Sequence, residues 1–330
     1  MVSTRFQTGK EILDLVKSEL AEVEKEFRQQ SVSNVRPITE IGQYLQFSGG
    51  KRLRPALVLL SSKLCGYEGS AAIRLGAVVE LIHTATLIHD DVIDEAETRR
   101  GRASTNSRWG NHTSVLAGDW LYMQAFSIAL TWRNFRILDL LISLTREMVE
   151  GELLQMNQLK QIGLMEADYL ELCDRKTACL FSACLRLGSM LGDSTEDLEL
   201  KLGSYGTNLG LAFQVIDDLL DFTSSEETLG KPIGSDLREG KITLPLIYLL
   251  AKCTSAEKAK IARVLEEGGF HSVQFDEILE LIERYNILQA ARAKAQHFAA
   301  LAEASLEGIP ESRYRDALRS LAEFIADRQY

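Results

Sequence analysis

Residues 80–100 read ELIHTATLIHDDVIDEAETRR, and this stretch decides the fold. It starts as an apolar segment at helical spacing and continues without a helix breaker into three aspartates and two arginines. Asp90 and Asp94 stand four residues apart, so a helix places both carboxylates on one face, where like charges repel by a few tenths of a kcal/mol. The pattern predicts a helix whose end holds a cation.

A second stretch repeats this arrangement. Residues 213–222 read FQVIDDLLDF, with Asp217, Asp218 and Asp221 in an apolar run and the same two-residue gap. Either cluster alone could be the solvated end of a surface helix, but solvated acidic faces are not usually flanked by large apolar residues. Carboxylate clusters suit Mg²⁺, which retains water and completes its shell with substrate phosphate. We therefore expect magnesium and a phosphorylated ligand.

The composition favours an all-α chain. Its 330 residues are 45% hydrophobic, enough for a large core, and its five prolines leave the long central span without one. No linker rich in proline, serine or glycine divides the sequence. Apolar residues at helical spacing predict helices over residues 8–29, 112–131, 134–157 and 166–190. We predict a single all-α domain over residues 1–330.

Charge and hydropathy limit the partners and the location. The net charge of −10 argues against nucleic acid as a partner. No apolar run reaches the roughly 18–20 residues of a membrane helix, and the N-terminus lacks the apolar core of a signal peptide. Five cysteines without CxxC spacing indicate reduced, packed thiols. These features predict a cytoplasmic protein with no transmembrane segment.

Two short segments carry clustered cations. Residues 48–55, SGGKRLRP, combine a glycine turn with three cations at the start of a helix. Such a turn suits a phosphate cradle, although a basic surface turn has the same composition and the spacing is not that of a Walker A loop. Residues 99–102 supply three arginines. Each can donate two parallel hydrogen bonds to a phosphate, or it can form a plain ion pair with an aspartate.

Other polar residues have two interpretations each. His83 lies seven residues before Asp90, on nearly the same helix face. It is either a core residue or a contact to diphosphate. Lys176 stands between apolar helical residues and needs an anionic partner. Residues 224–240 interleave glycines with charges, which indicates a loop that closes over a site or a surface connection. The apolar face of a predicted helix over residues 134–157 is core, or it lines a tunnel for a long ligand.

Six motifs occur in an order typical of one enzyme family. They are GGKRLRP at 49–55, DDVID at 90–94 with two arginines after it, GE-x-x-Q at 151–155, Lys176-Thr177, FQVIDDLLD at 213–221, and the glycine loop of 229–245. On these residues the chain resembles the trans-isoprenyl diphosphate synthases of the long-chain polyprenyl type, such as octaprenyl and solanesyl diphosphate synthases.

The resemblance implies the isoprenoid synthase fold, antiparallel helices around a central cavity, and a homodimer. It implies a prenyltransferase of isoprenoid biosynthesis that uses three Mg²⁺ ions with substrate bound. An allylic diphosphate, such as farnesyl or geranylgeranyl diphosphate, would lose its diphosphate, and the double bond of isopentenyl diphosphate would attack the allylic cation. The released diphosphate is the implied base for the final proton, because the sequence offers no obvious side-chain base.

The resemblance also assigns roles position by position. The implied metal ligands are Asp90, Asp94 and Asp217, with outer support for the metal from Asp221. The implied contacts of the allylic diphosphate are Arg99, Lys176 and Lys231. The implied contacts of isopentenyl diphosphate are Lys51, Arg54, His83 and Arg100. The resemblance implies that Thr177 and Gln214 lie near the allylic cation and that Lys241 belongs to the closing loop.

The length of the product should depend on the helix face behind Asp90. A growing chain would run toward the N-terminus of this helix, and Thr86 and Ala85 lie about 6 and 7.5 Å behind Asp90 at about 1.5 Å rise per residue. Both are small and leave the path open toward Ile82, Leu141 and Leu144. We therefore expect a product of roughly C35 to C50, released with at most a weak contact to a membrane surface.

Three alternatives stay open on the sequence. A terpene cyclase shares the fold and one aspartate motif, but it needs no second diphosphate pocket, which GGKRLRP would supply. A non-catalytic partner subunit typically lacks aspartates that both clusters retain here. A short-chain synthase, with a C15–C20 product, often carries aromatic residues near position 85 that close the pocket.

Overall fold

The computed structural model describes residues 6–46, 52–99, 101–192, 194–224 and 232–328. Over these residues the chain is almost entirely helical, which confirms the predicted all-α class. The first helices are α1 (Gly9–Asp14), α2 (Lys17–Gln30), α3 (Arg36–Gln46), α4 (Leu53–Leu64), α5 (Ala71–Ile93), α6 (Thr105–Trp109), α7 (Asn111–Leu130), α8 (Phe135–Gln158) and α9 (Glu166–Cys173). The others are α10 (Cys179–Ser189), α11 (Glu196–Thr223), α12 (Ser235–Arg238), α13 (Leu244–Lys252), α14 (Ser255–Glu267), α15 (Phe275–Arg284), α16 (Ile287–Ser305) and α17 (Arg313–Ala326).

Three local features depart from the expected helices. A short hairpin, β1 (Thr98–Arg99) and β2 (Arg102–Ala103), follows α5. The segment 8–29, expected as one helix, is divided into α1 and α2 by a turn at Leu15 and Val16, which lets Val16 be fully buried. A π-helical turn, Asp174–Ala178, joins α9 to α10 within the expected helix 166–190. By contrast, α7 and α8 agree with the expected helices to within one residue at each end.

The chain forms two compact units. The first comprises residues 1–145, 180–206 and 305–321, and the second comprises residues 146–179, 207–304 and 322–330. A compact unit need not fold by itself, so the single domain over residues 1–330 stays a prediction.

In the first unit, α5 is the centre of the packing. It contacts α2, α4 and α7, and most of its side chains from Ala72 to Ile88 are buried. Helix α10 approaches α4 closely because Gly188 has no side chain, and a Cβ there would overlap Ser61 and the carbonyl oxygen of Val58. The aspartates at the end of α5 are therefore carried by a tightly packed helix.

Helix α5 has the length and apolarity of a membrane span. Among the described residues it is the one such helix, with 23 residues and a mean hydropathy of 1.5, but 67% of its apolar window is buried inside the structure. Arg74 and Glu80 interrupt the apolar run. These features are those of a core helix.

In the second unit, a polar contact joins α9, α13 and α16. Helix α13 packs against α9 and α15. Glu166 at the start of α9 accepts hydrogen bonds from Tyr248 of α13 at 2.8 Å and from Lys294 of α16 at 2.7 Å. Burial acts to raise the pKa of Glu166, but these two donors lower it below its usual value. The carboxylate therefore fixes the first turn of α9.

Candidate active site

The first aspartate cluster closes helix α5. Asp94 ends the helix, and its backbone N–H donates to the carbonyl oxygen of Asp90 at 2.8 Å. The two side chains lie one turn apart, as the spacing predicts, with Asp90 half-buried and Asp94 exposed. Asp91 is buried. The cluster thus consists of a pair of carboxylates that solvent reaches and one internal carboxylate.

Asp91 holds the hairpin that carries two of the predicted phosphate contacts. Nε of Arg99 donates to Oδ1 of Asp91 at 2.6 Å, and burial raises the pKa of Asp91 although the charge of Arg99 opposes that shift. Arg99 pairs with Arg102 across the hairpin, and Gly101 supplies the positive φ of its turn, +73°. Arg99 therefore already has an internal carboxylate partner. Arg100 lies outside the described residues.

Arg102 lies against an aromatic ring, although it was expected among the phosphate donors. Its guanidinium is 4.3 Å from the centre of the Tyr44 ring, and the guanidinium of Arg108 is 4.7 Å from the same ring. The hydroxyl of Tyr44 donates to the carbonyl oxygen of Ala103 at 2.7 Å. Tyr44 thereby anchors the hairpin to α3.

Arg54 and His83 meet, as expected for two contacts of one ligand. Nη1 of Arg54 donates to Nε2 of His83 at 3.1 Å, which makes Nε2 the acceptor and places the ring proton of a neutral imidazole on Nδ1. The guanidinium of Arg54 also lies 5.2 Å from the centre of the Phe181 ring. Their contact to isopentenyl diphosphate stays a prediction. Lys51 lies outside the described residues.

Arg52 faces inward, although it was expected in the phosphate cradle. It precedes α4 in a left-handed conformation, with φ of 48°. Its Nε donates to Glu24, and its Nη1 donates to the buried Glu80 at 2.5 Å. Arg52 is thus an internal ion-pair residue that fixes the start of α4 on α2 and α5.

The second aspartate cluster lies in the last turns of α11. Asp217 is half-buried, whereas Asp218 and Asp221 are buried. Asp221 accepts the hydroxyl of Ser235 at 2.9 Å and the backbone N–H of Asp236 at 3.1 Å. These bonds fix the first turn of α12. They agree with an outer supporting role for Asp221, whose place in a metal site stays a prediction.

Asp217 contacts an arginine that the sequence did not single out. Nη1 of Arg328, just after the last helix, donates to Oδ1 of Asp217 at 2.8 Å. The guanidinium lies 5.5 Å from the centre of the Phe213 ring. An isolated arginine near the chain end gives no sequence signal, because only the tertiary fold brings it to α11.

Lys176 has the anionic partner that its surroundings required. Its Nζ lies 2.5 Å from Oε2 of Glu152 and donates to Oε1 of Gln155 at 3.0 Å. Both partners belong to the GE-x-x-Q motif, which carried no assigned role. Lys176 itself stands in the π-helical turn, a feature that occurs often at functional sites and that the sequence pattern did not reveal.

Thr177 and Gln214 form one hydrogen-bonded chain with two further residues. The hydroxyl of Thr177 donates to Oε1 of Gln214 at 2.8 Å, and Nε2 of Gln214 donates to Oδ1 of Asp218 at 2.8 Å. The hydroxyl of Tyr169 donates to Oδ2 of Asp218 at 2.6 Å. Burial, followed by the charge of Asp236, raises the pKa of Asp218 to about 8. The expected neighbours near the allylic cation are thus in direct contact.

The closing loop is described only at its C-terminal end. Nζ of Lys241 lies 2.6 Å from Oε2 of Glu239, and the carbonyl oxygen of Gly240 accepts the backbone N–H of Lys160 at 2.8 Å. Lys231 lies outside the described residues. The closure of this loop over a ligand therefore stays a prediction.

The residues expected to set product length are apolar and well packed. Four of these side chains are fully or almost fully buried, namely Ile82, Ala85, Leu141 and Leu144. Thr86 is half-buried, and its hydroxyl donates to the carbonyl oxygen of His83 at 2.7 Å. Their part in a tunnel stays a prediction.

Each aspartate pair offers hard oxygen donors without a complete cage. Among the described residues, no three side chains of histidine, cysteine, aspartate or glutamate gather closely enough to hold a metal by themselves. Asp90 and Asp94 supply two carboxylates, and Asp217 supplies another. Such sets fit a divalent cation that keeps water and takes the remaining ligands from a phosphorylated substrate.

Comparison with known proteins gives one consistent match. The family model described as polyprenyl synthetase matches residues 35–282. The chain is 38% identical over 320 residues to an octaprenyl diphosphate synthase of Haemophilus influenzae, covering 97% of each protein. It is 34% identical over 326 residues to a short chain isoprenyl diphosphate synthase of Methanothermobacter thermautotrophicus, covering 97% of this chain and 99% of that protein.

The structural comparison extends this match to the fold. A polyprenyl synthase from Caulobacter crescentus, crystallised with calcium and isoprenyl diphosphate, superimposes with a TM-score of 0.93. It is 36% identical and covers 98% of both chains. The expected isoprenoid synthase fold is therefore confirmed.

Proposed function

The chain belongs to the polyprenyl synthetase family, and from this premise we propose that it makes a long all-trans polyprenyl diphosphate. It is a prenyl diphosphate synthase, which joins an allylic diphosphate to isopentenyl diphosphate. The observation that carries the proposal is the pair of long apolar helices, α5 and α11, each with aspartates one turn apart near its C-terminal end. A terpene cyclase has no need for the second set of cations, Arg54 with His83.

We assign the metal to both aspartate pairs. Members of this family depend on a divalent cation, and for this chain we propose Mg²⁺, with three ions when substrate is bound. In the first pair the ligands would be Asp90 and Asp94, and in the second pair the ligand would be Asp217, with Asp221 in support. The metal would neutralise charge that develops on the leaving diphosphate.

Two of the proposed contacts of the allylic diphosphate have carboxylate partners in the free enzyme. Lys176 is held by Glu152, and Arg99 is held by Asp91. A diphosphate that binds to either cation would exchange one anionic partner for another, so the cation would need little reorganisation as the C–O bond breaks. The electrons of the C–O bond leave with the diphosphate, and the double bond of isopentenyl diphosphate forms the new C–C bond. The released diphosphate then takes the proton that the condensed product loses.

The proposal of a long product depends on Ala85. The residue lies five positions before Asp90, about 7.5 Å along the helix, and its side chain is a methyl group. An aromatic ring there would end the path of a growing chain, whereas alanine leaves room toward Ile82. Because relatives of both long-chain and short-chain type are similar over the whole chain, this position and not overall similarity supports a product of roughly C35 to C50.

We also propose that the enzyme is a homodimer. On α7, exposed apolar side chains recur every seven residues, which places them on one helix face. They are Leu116, Met123 and Leu130. At the start of α8, Phe135 and Ile142 are exposed with the same spacing. A soluble monomer rarely leaves such rows uncovered, so a second copy of the chain is the proposed cover.

The proposed location is the cytoplasm, with no nucleic acid as partner. The net charge of −10 supports the second part of this proposal, and the five reduced cysteines support the first. Release of a long apolar product would use at most a weak contact with a membrane surface, since helix α5, which has span-like hydropathy, is mostly buried.

The decisive experiment incubates the purified protein with Mg²⁺, labelled isopentenyl diphosphate, and farnesyl or geranylgeranyl diphosphate. The products, after removal of diphosphate, are separated by chain length. We expect incorporation into products of roughly C35 to C50 that requires the metal. A C15–C20 product would support the short-chain alternative. No incorporation with either primer would support a non-catalytic partner subunit.

A further inference from the structure

A buried tyrosine supports the second aspartate cluster from outside the known motifs. Tyr169 lies on α9 with 3% of its surface exposed, and its hydroxyl donates to Asp218 at 2.6 Å. Asp218 is itself 4% exposed and accepts a second hydrogen bond, from Gln214 at 2.8 Å. Both carboxylate oxygens of Asp218 are therefore engaged away from solvent.

The directions of these hydrogen bonds are set by their partners. Nε2 of Gln214 donates to Oδ1 of Asp218, so Oε1 of the same amide faces the hydroxyl of Thr177 and accepts from it. The order Tyr169, Asp218, Gln214, Thr177 is a chain in which each donor has one acceptor. The amide of Gln214 is consequently fixed in one of its two flip states.

A purely structural explanation does not account for this arrangement well. A buried tyrosine hydroxyl and a buried carboxylate both cost free energy, and apolar side chains of similar volume would pack as stably. The acceptor of the Tyr169 hydroxyl, moreover, is the immediate neighbour of Asp217, and the other end of the chain is Thr177 in the π-helical turn. The polar groups therefore join two elements of the proposed site.

We propose that Tyr169 is a positioning residue of the synthase. It fixes the side chain of Asp218, and through it the orientation of the last turns of α11 and of the Gln214 amide. Asp217 then presents its carboxylate, and Thr177 its hydroxyl, in one defined geometry. This inference rests on the proposed function, since it concerns the same site.

The test replaces the tyrosine hydroxyl by hydrogen. Tyr169→Phe keeps the ring and removes the donor, and we expect kcat to fall about tenfold or more, because the buried carboxyl group of Asp218 loses one of its two hydrogen-bond donors. The Michaelis constant for isopentenyl diphosphate, which the proposed cations and not the metal hold, should change by less than about twofold. Tyr248→Phe is the matched control, because Tyr248 donates at 2.8 Å to Glu166, a carboxylate of the same unit that is not a proposed metal ligand.

A binding measurement separates this inference from the proposed function. Calorimetry of Mg²⁺ with inorganic diphosphate needs no turnover, and we expect Tyr169→Phe to weaken that binding about threefold or more while Tyr248→Phe leaves it unchanged. If the wild-type protein makes no polyprenyl product, the proposed function fails, and this binding result still decides the role of Tyr169.

A second variant covers the case in which Tyr169→Phe does not fold. Tyr169→His retains a ring N–H that can donate to Asp218, and it should recover a measurable part of kcat and of diphosphate binding. Circular dichroism monitors the fold of all variants. Wild-type kcat and wild-type diphosphate binding in a folded Tyr169→Phe, or equal losses in both phenylalanine variants, would overturn the proposal.

Discussion

The guanidinium of Arg328 donates to Oδ1 of Asp217 at 2.8 Å, although the two residues are 111 positions apart in the chain. The same guanidinium lies near the ring of Phe213, one turn earlier on α11. Asp217 is a proposed metal ligand, so the arginine occupies an oxygen that a metal would use. A metal ion at Asp217 would therefore compete with the guanidinium for this carboxylate in the free enzyme.

Replacing Arg328 by glutamine should tighten metal binding. An ion pair that is partly exposed on both sides contributes about 0.2–1 kcal/mol, which corresponds to about a 1.5- to 5-fold lower Kd for Mg²⁺. Calorimetry without substrate measures this Kd directly. Arg284→Gln is the control, because Arg284 forms an ion pair of the same length with Glu257. An unchanged or higher Kd in Arg328→Gln would show that the arginine does not compete.

Neutralising either proposed metal ligand should abolish most of the activity. We expect Asp90→Asn or Asp217→Asn to lower kcat by about a hundredfold or more, because each removes a carboxylate from the metal site. The helical circular dichroism should stay intact, since Asp90→Asn relieves repulsion between like charges. Asp197→Asn, on the exposed start of α11, should leave kcat unchanged. Near-normal turnover in both ligand variants is the outcome that contradicts the assignment.

Two neighbouring arginines should behave differently on substitution. Arg54→Gln removes a proposed contact of isopentenyl diphosphate, so its Michaelis constant for that substrate should rise about tenfold or more and change little for the allylic substrate. Arg52→Gln removes the partner of buried Glu80, and it should lower the melting temperature by several degrees without this selective effect. Equal effects of Arg54→Gln on both substrates would indicate a general structural role.

A charge on the exposed row of α7 should separate the proposed dimer. Met123→Glu places a carboxylate in the middle of the row, where a dimer would bury it without a partner. Analytical ultracentrifugation should show a monomer at micromolar concentration. Leu200→Glu is the control, because Leu200 is 60% exposed and Met123 is 61% exposed, yet Leu200 lies on α11 and not on this row. Dimers that persist in Met123→Glu would place the contact elsewhere.

The sequence was informative where the signal is local. Helices α7 and α8 followed from apolar spacing, and the aspartate pairs followed from their four-residue separation in apolar runs. The meeting of Arg54 with His83 followed only from the family resemblance. It joins α4 to α5, so periodicity along one helix gives no information about it.

The residues that sequence reasoning missed depend on tertiary contacts. Tyr169 lies 49 positions before Asp218. In the sequence it is one aromatic residue of a helix, and only the tertiary fold brings the two side chains together. Arg52 was one of three adjacent cations, and only the packing of α2 and α5 shows that it faces inward. The π-helical turn at Asp174–Ala178 inserts into a regular helical pattern without a proline or glycine to mark it.

The last prediction concerns the length of the product. A graded series at one position, Ala85→Leu and Ala85→Phe, adds bulk about 7.5 Å behind Asp90 on the face that the growing chain would follow. We expect the main product to shorten stepwise, toward C15–C20 with phenylalanine, while turnover persists. Because Ala85 is fully buried, overpacking should cost about 1–3 kcal/mol, so circular dichroism and melting temperature accompany each assay. Ala77→Leu is the control, since Ala77 is also fully buried on α5 but lies about 12 Å farther from Asp90. A folded, active Ala85→Phe enzyme that still makes the wild-type length would show that the product runs along another helix face.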